Sequence, residues 1–303
     1  MPSLRAMLVN WNLKRTVKSQ PLHELPAEVL RANFEKPAPE HPPAGVSMTS
    51  VDDGPVKGEW HRADKSAAGL TILYLHGGGY YFGSPKAYRK LTFALAQECH
   101  AEVFSLDYRQ APEAPFPAAV DDAVAAYEWL LAERRDPSRL FLAGDSAGGG
   151  LAMALMLSIR ERGLPMPAGA VLYSPWTDMA VSGASLDTNE PTDVMFKKLY
   201  IVEGAKQYLN GADPKNPLAS PLYGELAGLP PILTYASASE VLLDDATRLH
   251  EKLVAAGVEA KLVVEKGLAH IWPLFVGAMP ESMKTIRQTA AFIRGRFNLN
   301  RVK

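Results

Sequence analysis

Residues 139 to 157 read RLFLAGDSAGGGLAMALML: an apolar run stops at Gly144, Ser146 follows, and a glycine-rich helical pattern begins at once. Gly144 to Gly148 fits G-x-S-x-G between a strand and a helix, and that context gives the five letters their meaning. So tight a turn needs flanking residues with little or no side chain. It lifts the Ser146 hydroxyl above the sheet. The free N–H groups of the helix start aim at the same spot, where they favour developing negative charge. A glycine-rich helix start with a capping serine is the rival reading. A serine hydroxyl is a weak nucleophile at neutral pH, so it needs a base, and the base needs an orienting acid.

The chain has seven histidines. His23, His41 and His61 precede the repeating core pattern, His76 and His100 lie beside earlier strands, and His250 is inside a helix. His270 stands in EKGLAHIWPLF, just after the last strand and well over a hundred residues beyond Ser146. In a parallel sheet that is the edge that carries the serine, and the order Ser…acid…His is kept. His270 is therefore read as the base. The acid should follow the penultimate strand, where PILTYASASEVLLDDATRLH offers Glu240, Asp244 and Asp245. Asp244 and Asp245 precede a helix, where a carboxylate has ready work as N-cap. Glu240, in the loop directly beyond the strand, is the choice, with Asp244 as runner-up.

LHGGGYYFGS, residues 75 to 84, places three consecutive glycines after a strand. Such a run is costly in chain entropy and makes sense where backbone must come close to a ligand. Attack on an ester carbonyl builds charge on its oxygen, and each preorganised donor there is worth on the order of 10²–10³ in rate. The candidate donors are the N–H groups of Gly78, Gly79 and Ala147. A phosphate-binding loop does not fit, because no Gly-Lys-Ser/Thr follows and no G-x-G-x-x-G opens a helix.

These residues need a scaffold to bring them together. LTILYLHGG, AEVFSLDY, RLFLAGD, AGAVLYSPW, PILTYAS and AKLVVEKG read as strands. YRKLTFALAQECH, PAAVDDAVAAYEWLLAERR, SAGGGLAMALMLSIRERG, DDATRLHEKLVAAG and ESMKTIRQTAAFIRGRF read as helices between and after them. The DDATRLHEKLVAAG helix reads as Asp-capped and Gly-terminated. The alternation predicts an α/β fold with a mostly parallel central sheet and helices on both faces. Ligands then bind beyond the carboxyl ends of the strands. VSMTSVDDGPVKGEWHRA reads as two antiparallel strands joined at Asp53-Gly54. Residues 21 to 45 are proline-rich, read as a short helix and an extended linker. DVMFKKLYIVEGAKQYLNG, residues 193 to 211, reads as one helix closed by Asn210-Gly211. The resulting division is 1–45 as an N-terminal helical cap segment, 46–178 as the first part of the core, 179–223 as a cap insertion, and 224–303 as the second part of the core.

The chain has 303 residues, 47% hydrophobic and 21% charged, with a net charge of −1. Those figures are ordinary for a globular α/β domain with an added lobe. Without a basic stripe, nucleic acid or an anionic membrane is an unexpected partner. No apolar stretch is long enough to span a bilayer. Leu4, Leu8 and Trp11 share a helical face, which suits a membrane-surface helix or, as the neutral chain favours, a helix packed on its own protein. Cys99 is the only cysteine; it suits a reducing compartment, and a cytoplasmic location is the expectation.

HGGG upstream of GDSAGG resembles the hormone-sensitive-lipase-like family of α/β-hydrolase carboxylesterases. The likeness extends to YRQAPEAPFPAAVDDAVAAYEWL, YSPWTD, NPLASPLYGELAGLPPIL and VLLDDATRLHEKLVAAGVEAKLVVEKGLAHIWPLF, nearly continuous from about residue 70 onward. It implies Ser146 as nucleophile, His270 as base, and Gly78, Gly79 and Ala147 as oxyanion donors, with His76, Gly77 and Asp145 supporting the motifs. The family's acid is often aspartate in G-x-x-D-x-L-x-D. Here the aligned residue is Glu240, and Ser237 replaces the aligned glycine. The resemblance also implies a helical cap and makes a homodimer an expectation.

The reading is a serine carboxylesterase acting on short- to medium-chain acyl esters, with a small-molecule ester as its partner and no metal or organic cofactor. An acyltransferase or amidase would share the acyl-enzyme step. Plant gibberellin receptors resemble the family as non-catalytic binding proteins but lack a working histidine, and His270 argues against that alternative. Arg109 and Glu113 are expected to tie the loop after their strand to the sheet edge. Tyr80, Tyr81, Phe82, Trp176, Trp272 and Phe275 flank the motifs as candidate pocket walls.

Overall fold

The computed structural model describes residues 1–67 and 69–297; the last six residues of the section read as 224–303 lie outside them. In chain order the elements are α1 (Leu4–Leu13), α2 (Ala27–Glu35), β1 (Val46–Asp53), β2 (Val56–Ala63), β3 (Thr71–Leu75), α3 (Pro85–Cys99), β4 (Glu102–Leu106), α4 (Ala118–Ala132) and β5 (Leu140–Asp145). Then follow α5 (Ala147–Glu161), β6 (Gly169–Tyr173), α6 (Ser185–Thr188), α7 (Lys198–Leu209), β7 (Ile232–Ser237), α8 (Leu243–Ala255), β8 (Ala260–Glu265) and α9 (Pro280–Gly295).

The strands form one sheet in the order β1-β2-β4-β3-β5-β6-β7-β8. β2 pairs antiparallel with β1 and β4, and every other neighbouring pair is parallel. Alternate residues of each buried strand serve opposite faces, as the pleat requires. Ile72, Tyr74, Phe141, Val171 and Tyr173 pack with α3 and α9. Leu73, Leu75, Leu140, Leu142 and Leu172 pack with α4, α5 and α8. α5 is buried over thirteen of its fifteen residues, and its apolar composition all round suits that enclosed place. Among the described residues no helix is long and apolar enough to cross a membrane.

Four local expectations change. The helix expected over residues 193–211 starts only at Lys198, because the Asp193 carboxylate takes the N–H groups of Met195 and Phe196 and turns the chain. α8 carries no side-chain cap, and Leu242 occupies the cap position. α1 does pack on its own protein, but through Ala6 and Leu13, while Leu4, Leu8 and Trp11 are 81%, 66% and 57% exposed. Its rotation is set by distant bonds, Ser3 to Glu281 and Asn10 Nδ2 to the Gly267 carbonyl. Arg109 and Glu113 do not reach the sheet edge. Arg109 grips Asp122 of α4 and Glu113 pairs with Arg31 of α2, so the loop is tied to helices.

Candidate active site

β5 ends at Asp145 and α5 begins at Ala147, leaving Ser146 alone in the corner at φ 51°, ψ −122°. A side chain there is strained and persists only where its surroundings impose it. The Ser146 N–H donates to the Tyr173 carbonyl, and the Ser146 carbonyl accepts from the Trp176 N–H, both at 2.8 Å. The hydroxyl caps no helix N–H, which removes the capping-serine alternative; instead Ser146 lines a pocket. A Cβ on Gly144 would lie 2.3 Å from the Gly148 carbonyl oxygen, and one on Gly148 would lie 2.0 Å from that of Leu75. These glycines let α5 rest directly on β3 and β5.

The glycine loop after β3 faces the same pocket. Gly78 and Gly79 take φ values of 111° and 63°, open to glycine and rarely to others. A Cβ on Gly78 would lie 1.9 Å from the Phe82 carbonyl oxygen. The N–H groups of Gly78, Gly79 and Ala147 donate to no other group among the described residues. From below, Asp145 fastens this loop to the serine corner. Its Oδ1 accepts from the Gly77 N–H at 3.0 Å and the Tyr74 hydroxyl at 2.6 Å, and its Oδ2 accepts from the Tyr88 hydroxyl at 2.9 Å. Burial pushes the Asp145 carboxyl up to about 6, with these three donors pulling the other way. His76 stacks on Tyr108 at 4.3 Å between ring centroids, and its Nδ1 lies 2.7 Å from the Gly77 carbonyl oxygen. Since a carbonyl only accepts, Nδ1 carries the hydrogen. Burial pushes His76 down to about 4, so it stays neutral and serves as a brace.

His270 follows β8 at the same sheet edge, 1% exposed. Its Nδ1 is 2.5 Å from Glu240 Oε2, and Glu240 Oε1 accepts from the Ser237 N–H at 2.8 Å. Burial acts to lower the His270 pKa, but Glu240 first, then Asp193 and Asp145, outweigh it and hold it above the ordinary imidazole value. His270 Nε2 has no hydrogen-bond partner among the described residues, and His270 and Ser146 line one pocket without a hydrogen bond between them. Catalytic contacts are often long before substrate binds. Asp244 and Asp245 are engaged elsewhere. Asp244 accepts from the Ser185 N–H at 2.9 Å, and Asp245 Oδ2 accepts from Thr177 and Asp178 N–H at 2.7 and 2.9 Å. Burial pushes Asp245 up to about 7. Ser237, which replaces a glycine of the family pattern, donates from Oγ to the Leu268 carbonyl at 2.6 Å. The replacement thus joins the Glu240 loop to the segment that carries His270.

The pocket is a cavity of about 40 Å³ lined chiefly by apolar side chains, room for a few waters. Of the six aromatic candidates, Tyr81, Phe82 and Trp176 line it, whereas Tyr80 and Trp272 are fully buried in the core and Phe275 packs behind the wall. The sequence reading missed Phe34 of α2 and Met195, Phe196, Tyr200 and Ile201 of the insertion. It also missed Arg31, which donates to the Tyr81 and Ala111 carbonyls and to Glu113. The signal available was a cation in α2 and the carboxylate of Glu113 in the YRQAPE tract.

The model of a family described by the alpha/beta hydrolase fold matches residues 72–274. The chain is 43% identical over 253 residues to an acetyl-hydrolase of Streptomyces hygroscopicus, covering 84% of this chain and 83% of the relative. It is 31% identical over 277 residues to an ethyl acetate hydrolase of Pseudomonas putida, covering 84% and 85%. A crystal structure of an esterase from the bacterial hormone-sensitive lipase family superposes with a TM-score of 0.92 at 39% identity, covering 98% of this chain and 99% of that one.

Proposed function

As a member of the hormone-sensitive-lipase-like carboxylesterases of the α/β-hydrolase fold, the chain is a carboxylic-ester hydrolase, and we propose that Ser146, His270 and Glu240 are the triad through which it works. Ser146 Oγ attacks the ester carbonyl carbon while His270 Nε2 takes its proton. The carbonyl oxygen becomes an oxyanion held by the N–H groups of Gly78, Gly79 and Ala147. Collapse expels the alcohol, to which His270 returns the proton. Water, with His270 again as base, then attacks the acyl-serine and releases the acid and free Ser146. Glu240 keeps the hydrogen of His270 on Nδ1 and stabilises the imidazolium.

The observation that carries the reading is the 2.5 Å contact of Glu240 with His270 Nδ1, which leaves an unpartnered Nε2 on the wall that Ser146 shares. The apolar walls of the pocket support an acyl ester as substrate, and we read its acyl chain as short to medium. We read residues 1–45 and 179–223 as a cap over it, supported by Leu13, Met195 and Ala269 packing as one apolar cluster with Val17, Phe196 and Phe275. A cytoplasmic location and a homodimer belong to the same reading. Turnover of a chromogenic butyrate ester, with a burst of alcohol ahead of the steady state, tests the chemistry. A folded protein that neither bursts nor turns over would reject it.

A further inference from the structure

The insertion does more than roof the pocket, because part of it grips the loop that carries the acid. Asn189 Nδ2 donates to the Ala238 and Glu240 carbonyls at 3.2 and 2.9 Å, and Thr192 Oγ1 donates to the Ser239 carbonyl at 3.1 Å. Asp193, 2% exposed, completes the grip in the opposite sense. Its Oδ2 accepts from the Val241 N–H at 2.9 Å, and its Oδ1 accepts from the Met195 and Phe196 N–H groups at 2.7 and 2.9 Å. Val241 is the residue after Glu240. Met195 and Phe196 line the pocket, and the Phe196 ring meets the His270 imidazole edge-on at 4.9 Å between centroids. One buried carboxylate therefore holds the acid loop with one oxygen and the pocket wall with the other.

We propose that Asp193 is a positioning residue for this reaction: through Val241 it fixes Glu240 against His270, and its buried negative charge favours the imidazolium that forms when Ser146 gives up its proton. The proposal rests on the triad reading given above. Burial raises the Asp193 pKa above the ordinary carboxylate value, while three main-chain N–H groups and the charge of His270 act in the opposite direction and favour the anion. The nearest cation of the N-terminal segment, Lys18, bonds the Asp193 carbonyl oxygen at 2.6 Å and the Glu190 carbonyl rather than the carboxylate. The charges that raise the affinity of His270 for its proton are those of Glu240, Asp193 and Asp145, against the opposing effect of burial. Asp193 is thus the second carboxylate of the imidazole side, supplied by the insertion and not by the sheet.

The test is the pH profile of kcat/KM on a soluble butyrate ester for Asp193→Asn, with its thermal melt as the check on folding. Asn keeps the size, loses the charge and turns an N–H₂ toward a main-chain donor. A fall of about tenfold in kcat/KM is expected, with the acid limb displaced to lower pH by about half a unit. Lys18→Met, which leaves the carboxylate in place, should keep the wild-type limb. An Asp193→Asn limb that coincides with wild type would overturn the proposal, leaving Asp193 a loop tie alone. If the Asn variant does not fold, Asp193→Glu takes its place. It keeps the charge but displaces Val241, so kcat should fall with the limb unmoved; an unchanged kcat would overturn the proposal. Failure of the triad reading would show separately, as turnover that survives Ser146→Ala.

Discussion

Ser146 and the Gly78–Gly79 loop are held by the sheet itself: by α5 lying on β3 and β5 at contact distances that admit no Cβ, and by Asp145 bonding Tyr74, Gly77 and Tyr88 beneath them. Glu240 and His270 are held differently. Their loops are joined by Ser237 and gripped from outside by Asn189, Thr192 and Asp193 of the insertion. In the proposed mechanism the half of the site that binds the transition-state charge is built into the least deformable part of the fold. The half that must change charge depends on an element that also shapes the pocket. Substitutions in the core should therefore affect acylation outright or stability, and substitutions in the insertion should affect protonation and substrate fit.

Breaking the serine side has the largest expected effect. Ser146→Ala should lose on the order of 10⁴-fold or more in kcat with the melt little changed, read by steady-state kinetics and calorimetry. On the imidazole side, Glu240→Gln should cost about 10³–10⁴ in kcat, because the amide presents an ambiguous partner to Nδ1. Asp244→Asn should stay within a few-fold, since its carboxylate holds Ser185 and not His270. A larger loss for Asp244→Asn than for Glu240→Gln, with both folded, would reverse the assignment.

The core half can be probed through stability. Gly148→Ala places a Cβ 2.0 Å from the Leu75 carbonyl oxygen, and a loss of roughly 3 kcal/mol or failure to fold is expected, measured by denaturant unfolding. Asp145→Asn should cost about 2 kcal/mol by leaving one of three buried donors without its acceptor. It should lower kcat more than it raises KM, because the glycine loop loosens.

The smallest effect is the position of the acid limb in the wild-type profile. In the proposed mechanism His270 must be neutral to accept the serine proton, so activity should fall as pH drops through its pKa. With that pKa raised, the limb should lie above the ordinary imidazole value of about 6.5. A limb below that value would mean that burial, not the carboxylates, governs the imidazole.

The parts of this site that were legible in the sequence are those that strand and helix order fixes. Ser146, His270 and the glycine loop each follow a buried strand of a parallel sheet, so their meeting at one edge follows from topology. Glu240 was legible because it is the first carboxylate beyond its strand. What escaped depends on long-range partners that no local period encodes. The apolar stripe of Leu4, Leu8 and Trp11 suggested the buried side of α1, yet Asn10 and Ser3 reach distant groups and turn that stripe outward. Asp193 looked like the first residue of a helix, but its carboxylate bonds the chain ahead of it and Val241 across the site. Asp244 and Asp245 have the place of caps, but Asp244 accepts from Ser185 of the insertion and Asp245 from Thr177 and Asp178 just before it.

The most direct measurement is mass spectrometry of the protein quenched during turnover of a butyrate ester, intact and after digestion. A single butyryl group is expected on the peptide that contains Ser146, absent from Ser146→Ala, and accumulating with the burst. An acyl group found on another residue, or turnover undiminished in Ser146→Ala, would contradict it.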